Sequence, residues 1–383
     1  MKKKKEIKSK LMLILAAAAM TNYAYSANEK SQQVSTKCND VKNCQCLSMD
    51  NPIILGKLMA QNIVNQDPKK SHRYTEYARV CSVYGLLKLA EATGDNSLVK
   101  QALTPYEWYT KKNNYKKIWK GHVDGNVFGI VPLEWARQSG DAAYRKLGLY
   151  LANDELKELR KEDGLVKYTR FWIDDMWMVG ALQALAYEVT KKQKYADIAV
   201  HQLVVYSRKL QKENGLFFHR PDVPFFWGRG NGWSAASMAK VLEVVPNTTP
   251  EYNELKKYYV KMMDGLVANQ SKDGVWKQLI DDQDSWDESS CTGMFLYALA
   301  TGLRTRLLSG KKYEQAVAKG WKGLAKMIDR KGRALDVCIG TGAVNSKKHY
   351  LKRPTKNGDF HGQAGVIWAI DAIIRLNKSR NKK

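Results

Sequence analysis

Two families of turn signals alternate through this chain, and their rhythm restricts it to a tandem array of helical hairpins. The first family is a polar turn that leads into a helix start: Thr93-Gly94-Asp95, Ser139-Gly140-Asp141, Lys192 to Tyr195, Thr248 to Tyr252 and Ser309 to Tyr313. The second is a polar residue followed by glycine, usually with an apolar residue after it: Asp163-Gly164-Leu165, Asn214-Gly215-Leu216, Asp273-Gly274-Val275 and Lys331-Gly332. Members of the second fall between members of the first, so each repeat of roughly fifty residues holds two helices and two unlike loops.

The segments between the turns carry the period of helices. Trp172, Met176, Val179, Leu182, Leu185 and Ala186 lie at three- and four-residue steps, as do Met294, Tyr297, Ala298, Thr301 and Gly302. A second helix is expected over Ser234 to Val245, with the glycine-rich stretch before it as a turn. Hairpins of this size stack into an open solenoid or close into a ring. The long aromatic-rich loops all belong to one turn family, which favours a closed, all-α toroid with one functional end. With 383 residues, 44% of them hydrophobic, and no linker or low-complexity tract after about residue 50, one domain over residues 51–380 is expected.

The N-terminus reads differently. Lysine-rich Met1 to Lys10 precedes the apolar run Leu11 to Met20, which is the pattern of a secretory signal peptide over residues 1–26, with cleavage expected after Ser26. The run is short for a bilayer span, so a periplasmic or secreted protein without a membrane anchor is expected. Cleavage removes six lysines and one glutamate from a chain of formal charge +25 and leaves +20. The lysines are dispersed, without the basic helix or zinc spacing of a nucleic-acid module, so the expected partner is an acidic oligosaccharide and not a nucleic acid. Cys38, Cys44 and Cys46 crowd the segment 27–50, where export permits a disulfide. Cys291 leads into an apolar helix and reads as a small buried residue.

Absences narrow the chemistry. The chain has no phosphate-binding Gly-x-x-x-x-Gly-Lys-Ser/Thr, no His-Glu-x-x-His, no Gly-x-Ser-x-Gly and no dinucleotide fingerprint. Three polar and aromatic clusters remain. In Phe171 to Met178, Asp174 and Asp175 are adjacent and point about 100° apart on a helix, so only one can face a given atom. One is expected at the helix start as a cap or a first-turn charge. The other, among Trp172, Met176, Trp177 and Met178, would have its pKa raised by desolvation, as suits a general acid. Gly215 to Arg220 with Phe225 to Trp233 sets His219 and Arg229 among rings and glycines, a combination for stacking on a sugar and pairing with its carboxylate. His349-Tyr350 to His361-Gly362-Gln363 repeats the theme.

These residues resemble glycoside hydrolase family 105, the unsaturated rhamnogalacturonyl hydrolases, which are related to the family 88 unsaturated glucuronyl hydrolases. The matching segments are His122 to Gly129, Trp172 to Met178, Gly215 to His219, Trp227 to Trp233, Asp273 to Gln278 with Glu288-Ser289-Ser290, and Gly358 to Ala364. They run in family order over about residues 50–380. The resemblance implies an (α/α)6 barrel, and it assigns the catalytic acid to Asp174. It implies substrate contacts at Trp172, Trp177, His219, Trp227, Arg229, Asn231, Trp233 and His361. A second aspartate of the glucuronyl family lies near the segment where this chain has Asp124 and Asn126, and both are carried as candidates. The implied reaction needs no metal or cofactor. An acid protonates C4 of a C4=C5 unsaturated uronate, water adds at C5, and the resulting hemiketal opens and expels the neighbouring sugar.

Overall fold

The computed structural model describes residues 50–66 and 75–381. The expected signal peptide and the crowded N-terminal cysteines lie outside the described residues. Helices α1 (Pro52–Asn65), α2 (Tyr77–Thr93), α3 (Val99–Thr110), α4 (Val123–Asn126), α5 (Ile130–Ser139), α6 (Ala142–Glu155) and α7 (Asp175–Thr190) make up the first half. The second half holds α8 (Gln193–Leu210), α9 (Gly228–Val244), α10 (Tyr252–Ala268), α11 (Ser289–Thr305), α12 (Lys311–Lys326), α13 (Lys347–Leu351) and α14 (Phe360–Arg380). Among the described residues, β-structure is confined to isolated bridges.

Helices α2, α5, α7, α9, α11 and α14 pack each on the next, and α14 returns to α2, so they form a closed inner ring. The inner helices are buried on nearly every face, as in the unbroken buried runs of Arg229 to Leu242 and His361 to Ile374. The outer helices α3, α6, α8, α10 and α12 bury one stripe against the inner helix that precedes them. The outer partner of α14 is α1, so the first and last of the described helices meet to complete the sixth hairpin. This is the (α/α)6 toroid.

The two turn families divide the molecule. Members of the first join inner to outer helices in short connections such as 140–141 and 191–192. Members of the second sit in the long connections 156–174, 211–227, 269–288 and 327–359. All inner helices therefore run the same way, with their N-termini at the long-loop end. Glycines of the second family hold neighbouring repeats together. Gly332 has φ 69°, and a Cβ there would stand 2.2 Å from the Leu58 carbonyl oxygen of α1. Only glycine fits that ring-closing contact.

At the opposite end the inner helices share a belt of charges. Arg137 of α5 bridges Glu134 and Glu91 at 2.6 Å each, and Arg375 of α14 bridges Glu91 at 2.9 Å and Asp371 at 2.7 Å. Lys240 of α9 pairs with Glu188 of α7, and Arg304 of α11 with Glu243 of α9. Every inner helix contributes, because a group buried there without a partner charge would cost several kcal/mol, on the order of 3–5.

Two local expectations are corrected. Trp172 lies ahead of α7, and helix α9 begins at Gly228 instead of Ser234. The glycine-rich stretch is the first turns of an inner helix: a Cβ at Gly230 would stand 2.6 Å from Ile173 Cγ2, and one at Gly232 would stand 2.6 Å from Met294 Sδ. These glycines admit protein neighbours, and tight interior packing overrides their low helix propensity.

Candidate active site

The adjacent acids Asp174 and Asp175 are separated by a lock built on Tyr206 of α8. Phe171 has φ 54°, a left-handed turn held by stacking on Tyr206 at 4.8 Å and by its N–H donating to the Tyr206 hydroxyl at 2.9 Å. That hydroxyl donates to Asp175 Oδ2 at 2.7 Å. The Arg170 N–H donates to the same oxygen at 2.7 Å, and its guanidinium meets Oδ1 at 3.0 Å. Asp175 is thus 0% exposed and fully used. Asp174 stands at the N-cap position of α7 but makes no capping bond, and Asp175 is the first-turn charge expected from sequence. The Asp174 side chain keeps 14% exposure, and its Oδ2 has no hydrogen-bond partner.

His219 faces that oxygen. The Ile173 N–H donates to the His219 carbonyl at 3.1 Å, which ties the two loops together, and Nε2 then lies 3.7 Å from Asp174 Oδ2. That separation exceeds a direct hydrogen bond. The ring is held by Trp172 edge-on at 5.5 Å, by Trp227 at 4.5 Å and by the Tyr350 hydroxyl at 2.7 Å from Nδ1. Burial, reinforced by Arg229, Arg220 and His349, pushes the His219 pKa down to about 3, so the imidazole is neutral and the pair is no salt bridge at neutral pH. Burial, then the charge of Asp124, pushes the Asp174 carboxyl up to about 7, against the opposing pull of Arg229. A carboxyl poised there donates and accepts a proton with equal ease near neutrality.

The other sequence candidates divide by exposure. Trp172 is half-buried, with the Arg170 and Arg220 guanidiniums over its ring at 5.1 and 6.0 Å. Asp124 is 28% exposed and lies 3.6 Å from His122 Nδ1. Arg229 is turned into the protein: it lies over Trp227, and its terminal nitrogens donate to the Cys338 and Ile339 carbonyls. It anchors a loop where sequence suggested a clamp on the substrate. Asn231 is likewise spent on the main chain of Phe217 and Trp227. Trp177 and Trp233 pack with Trp368 in the interior at centroid distances from 4.2 to 6.1 Å. Asn126 is fully buried, and neither amide atom has a partner. His361 is bonded on both ring nitrogens.

Other acids near the loops are occupied. Glu288 caps α11 through the Cys291 N–H and also accepts from the Ser290 hydroxyl and the Cys338 N–H. Asp359 holds His361, and Asp222 pairs with Arg220 at the surface. Asp124 is therefore the second carboxylate whose charge reaches Asp174 without a structural duty of its own. Asp124→Asn is expected to move the alkaline limb of the remaining kcat/KM profile to lower pH, because it removes a charge that raises the Asp174 pKa; an unmoved limb would separate the two acids. Cys81, Cys291 and Cys338 are free and buried. Among the described residues, no three His, Cys, Asp or Glu side chains gather to hold a metal, and no helix is long and apolar enough to cross a membrane.

A closed α/α ring that exposes one poised carboxyl beside aromatic rings, at the end where its inner helices begin, defines an α/α-toroid glycoside hydrolase. The sequence model of Glycosyl Hydrolase Family 88 matches residues 56–377, and the chain belongs to that family. It is 27% identical over 331 residues to an unsaturated 3S-rhamnoglycuronyl hydrolase of Alteromonas sp. (strain LOR), covering 77% of this chain and 76% of that one. It is 24% identical over 275 residues to the unsaturated rhamnogalacturonyl hydrolase YesR of Bacillus subtilis (strain 168), covering 67% and 78%. A solved structure described as a possible member of the GH105 family, from Salmonella enterica serovar Paratyphi A, superposes with TM-score 0.76 at 19% identity, covering 92% and 99%. The relation to families 105 and 88 expected from the ordered motifs therefore holds.

Proposed function

We propose that this glycosidase removes the nonreducing-end 4,5-unsaturated galacturonyl residue from rhamnogalacturonan lyase products. The observation that carries the reading is the bare Asp174 carboxyl, held near pKa 7 and facing neutral His219. Protonated Asp174 gives its proton to C4 of the enol ether as positive charge develops at C5. The carboxylate left behind takes a proton from the water that bonds to C5. The C5 hemiketal then opens by breaking its bond to the ring oxygen, and C1, now a hemiacetal, releases the neighbouring sugar as an alcohol. One carboxyl serves both proton transfers. Arg170 and Arg220 beside Trp172, together with the positive ends of the inner helices, suit an anionic sugar.

The test is to incubate the protein with lyase-made unsaturated galacturonyl-rhamnose and follow the ultraviolet absorbance of the conjugated double bond. Absorbance should vanish as free rhamnose appears. Rhamnose release from saturated substrate at the same rate would sink the hydration chemistry. The relative named an unsaturated 3S-rhamnoglycuronyl hydrolase favours a second reading, the same reaction on an unsaturated 3S-rhamnoglycuronyl substrate; the ratio of kcat/KM on the two substrates decides between them. We also propose export through residues 1–26, which requires that the protein recovered outside the cytoplasm begin at Ala27.

A further inference from the structure

The connection from α3 to α4, residues 111–122, leads from an outer helix to the inner column and so lies at the long-loop end of the ring, with Asp174. Near its close Ile118 is buried and Trp119 turns outward, 58% exposed. A scattered exposed ring is ordinary on a protein surface. This one is held in place. It stacks on the His122 imidazole at 4.9 Å with the planes 17° apart. A Cβ at Gly125 would stand 2.4 Å from the Trp119 carbonyl oxygen and 3.0 Å from its Cε3, so only glycine lets α4 close against it. The next residue is pinned as well: the Lys120 ammonium lies over Tyr150 at 5.2 Å and 3.4 Å from Asp154. One face of the indole is therefore covered by the imidazole, and the exposed face is fixed in advance of any ligand.

His122 connects this ring to the reacting groups. Its Nδ1 accepts the Asp124 N–H at 3.2 Å and lies 3.6 Å from Asp124 Oδ2. Asp124 in turn is the carboxylate whose charge acts on Asp174. Trp119, His122, Asp124 and Asp174 thus follow one another from the rim inward. Chemistry sets the direction of a linear chain lying there. A uronate with a C4=C5 double bond carries no sugar on C4, so the chain continues only from C1, and a ring platform outside the reacting residue serves the leaving side. His122 and Asp124 take up the interval next to Asp174, beside the first leaving sugar, and Trp119 comes after them. We propose that the open face of Trp119 is a stacking platform for the second sugar on the leaving side, which in a rhamnogalacturonan fragment is a galacturonate. Exposed Lys116 and Lys117 precede it along the chain and suit the carboxylate of that sugar. The proposal rests on the functional reading given above and adds to it a preference for tetrasaccharides over disaccharides.

The experiment compares wild type, Trp119→Ala and Trp119→Tyr on the unsaturated galacturonyl-rhamnose disaccharide and on the lyase-made tetrasaccharide with the same nonreducing end. The wild type should show the lower KM on the tetrasaccharide. Trp119→Ala should raise that KM by about tenfold, the worth of one ring face left in water, with kcat unchanged. Both constants on the disaccharide should stay as they are, and so should the thermal transition, because the ring is mostly in solvent. Trp119→Tyr keeps a flat ring and should recover part of the loss. A wild type with equal KM on the two substrates, a Trp119→Ala enzyme with wild-type KM on the tetrasaccharide, or one with the same deficit on both substrates would overturn the proposal. Failure of the functional reading looks different: the wild type would then turn over neither substrate, and the proposal would go with it.

Discussion

Asp174→Asn is expected to lower kcat by about a thousandfold, within the range set by losing a general acid and base, while leaving the protein folded. Folding survives because the side chain makes no capping bond and Oδ2 has no partner. Stability should in fact rise. A carboxyl whose folded pKa of about 7 lies above its unfolded value of about 3.9 costs stability as pH climbs between those two values, since only the unfolded chain ionises freely there. The amide removes that cost, about 4 kcal/mol at pH 8 and almost nothing below about pH 4. Thermal melts of the two proteins across this range measure the gain. The neighbouring change is the control: Asp175→Asn breaks the bonds to Arg170 and Tyr206 and should lose about 1–3 kcal/mol. An active Asp174→Asn enzyme, or an Asp175→Asn protein that melts like wild type, would show that the two acids have been given each other's roles.

Lys240→Met should cost about 3–5 kcal/mol at neutral pH, with a fall in Tm on the order of 5–10 °C. Lys240 is 2% exposed and pairs with Glu188, and its charge also helps to hold Glu134 and Glu243 below the ordinary carboxylate range. Glu134, drawn down to about 2, supplies stability above its unfolded pKa that disappears as pH falls through the folded value. Without Lys240 that supply shrinks at neutral pH, and the carboxylates of α5, α7 and α9 are left with less compensation. The deficit relative to wild type should narrow below about pH 5, where carboxylates of the unfolded chain take up protons. Denaturant unfolding at pH 7.5 and pH 4.5 makes the comparison, and a deficit independent of pH would mean that the lysine acts by packing alone. Catalysis at the other end of the ring should be retained at temperatures where the variant is folded.

The legible parts of this protein were local. Gly94, Gly140, Gly215 and Gly274 all sit in left-handed turns because a polar residue followed by glycine is the cheapest way to leave a helix or bend a loop, whatever lies around it. The stretch from Gly228 to Trp233 was misread for the same reason: three glycines signal a turn to any reading of neighbours along the chain. Here they admit Ile173 and Met294 from distant segments. Arg229 and Asn231 looked available for a ligand because nothing nearby in sequence reveals the Cys338 and Ile339 carbonyls or the loop main chain that occupy them.

Turn chemistry and helical period, which depend on a few consecutive residues, determined that this chain is a ring of helical hairpins with one elaborated end, and the ordered motifs carried its family. The tertiary structure decided which of two adjacent acids is bare, through a tyrosine on the next helix. It also brought His361 against the Tyr77 hydroxyl across 284 positions of chain. Solvation and partnership set a side chain's chemistry, and both are made by residues that come together only when the ring closes.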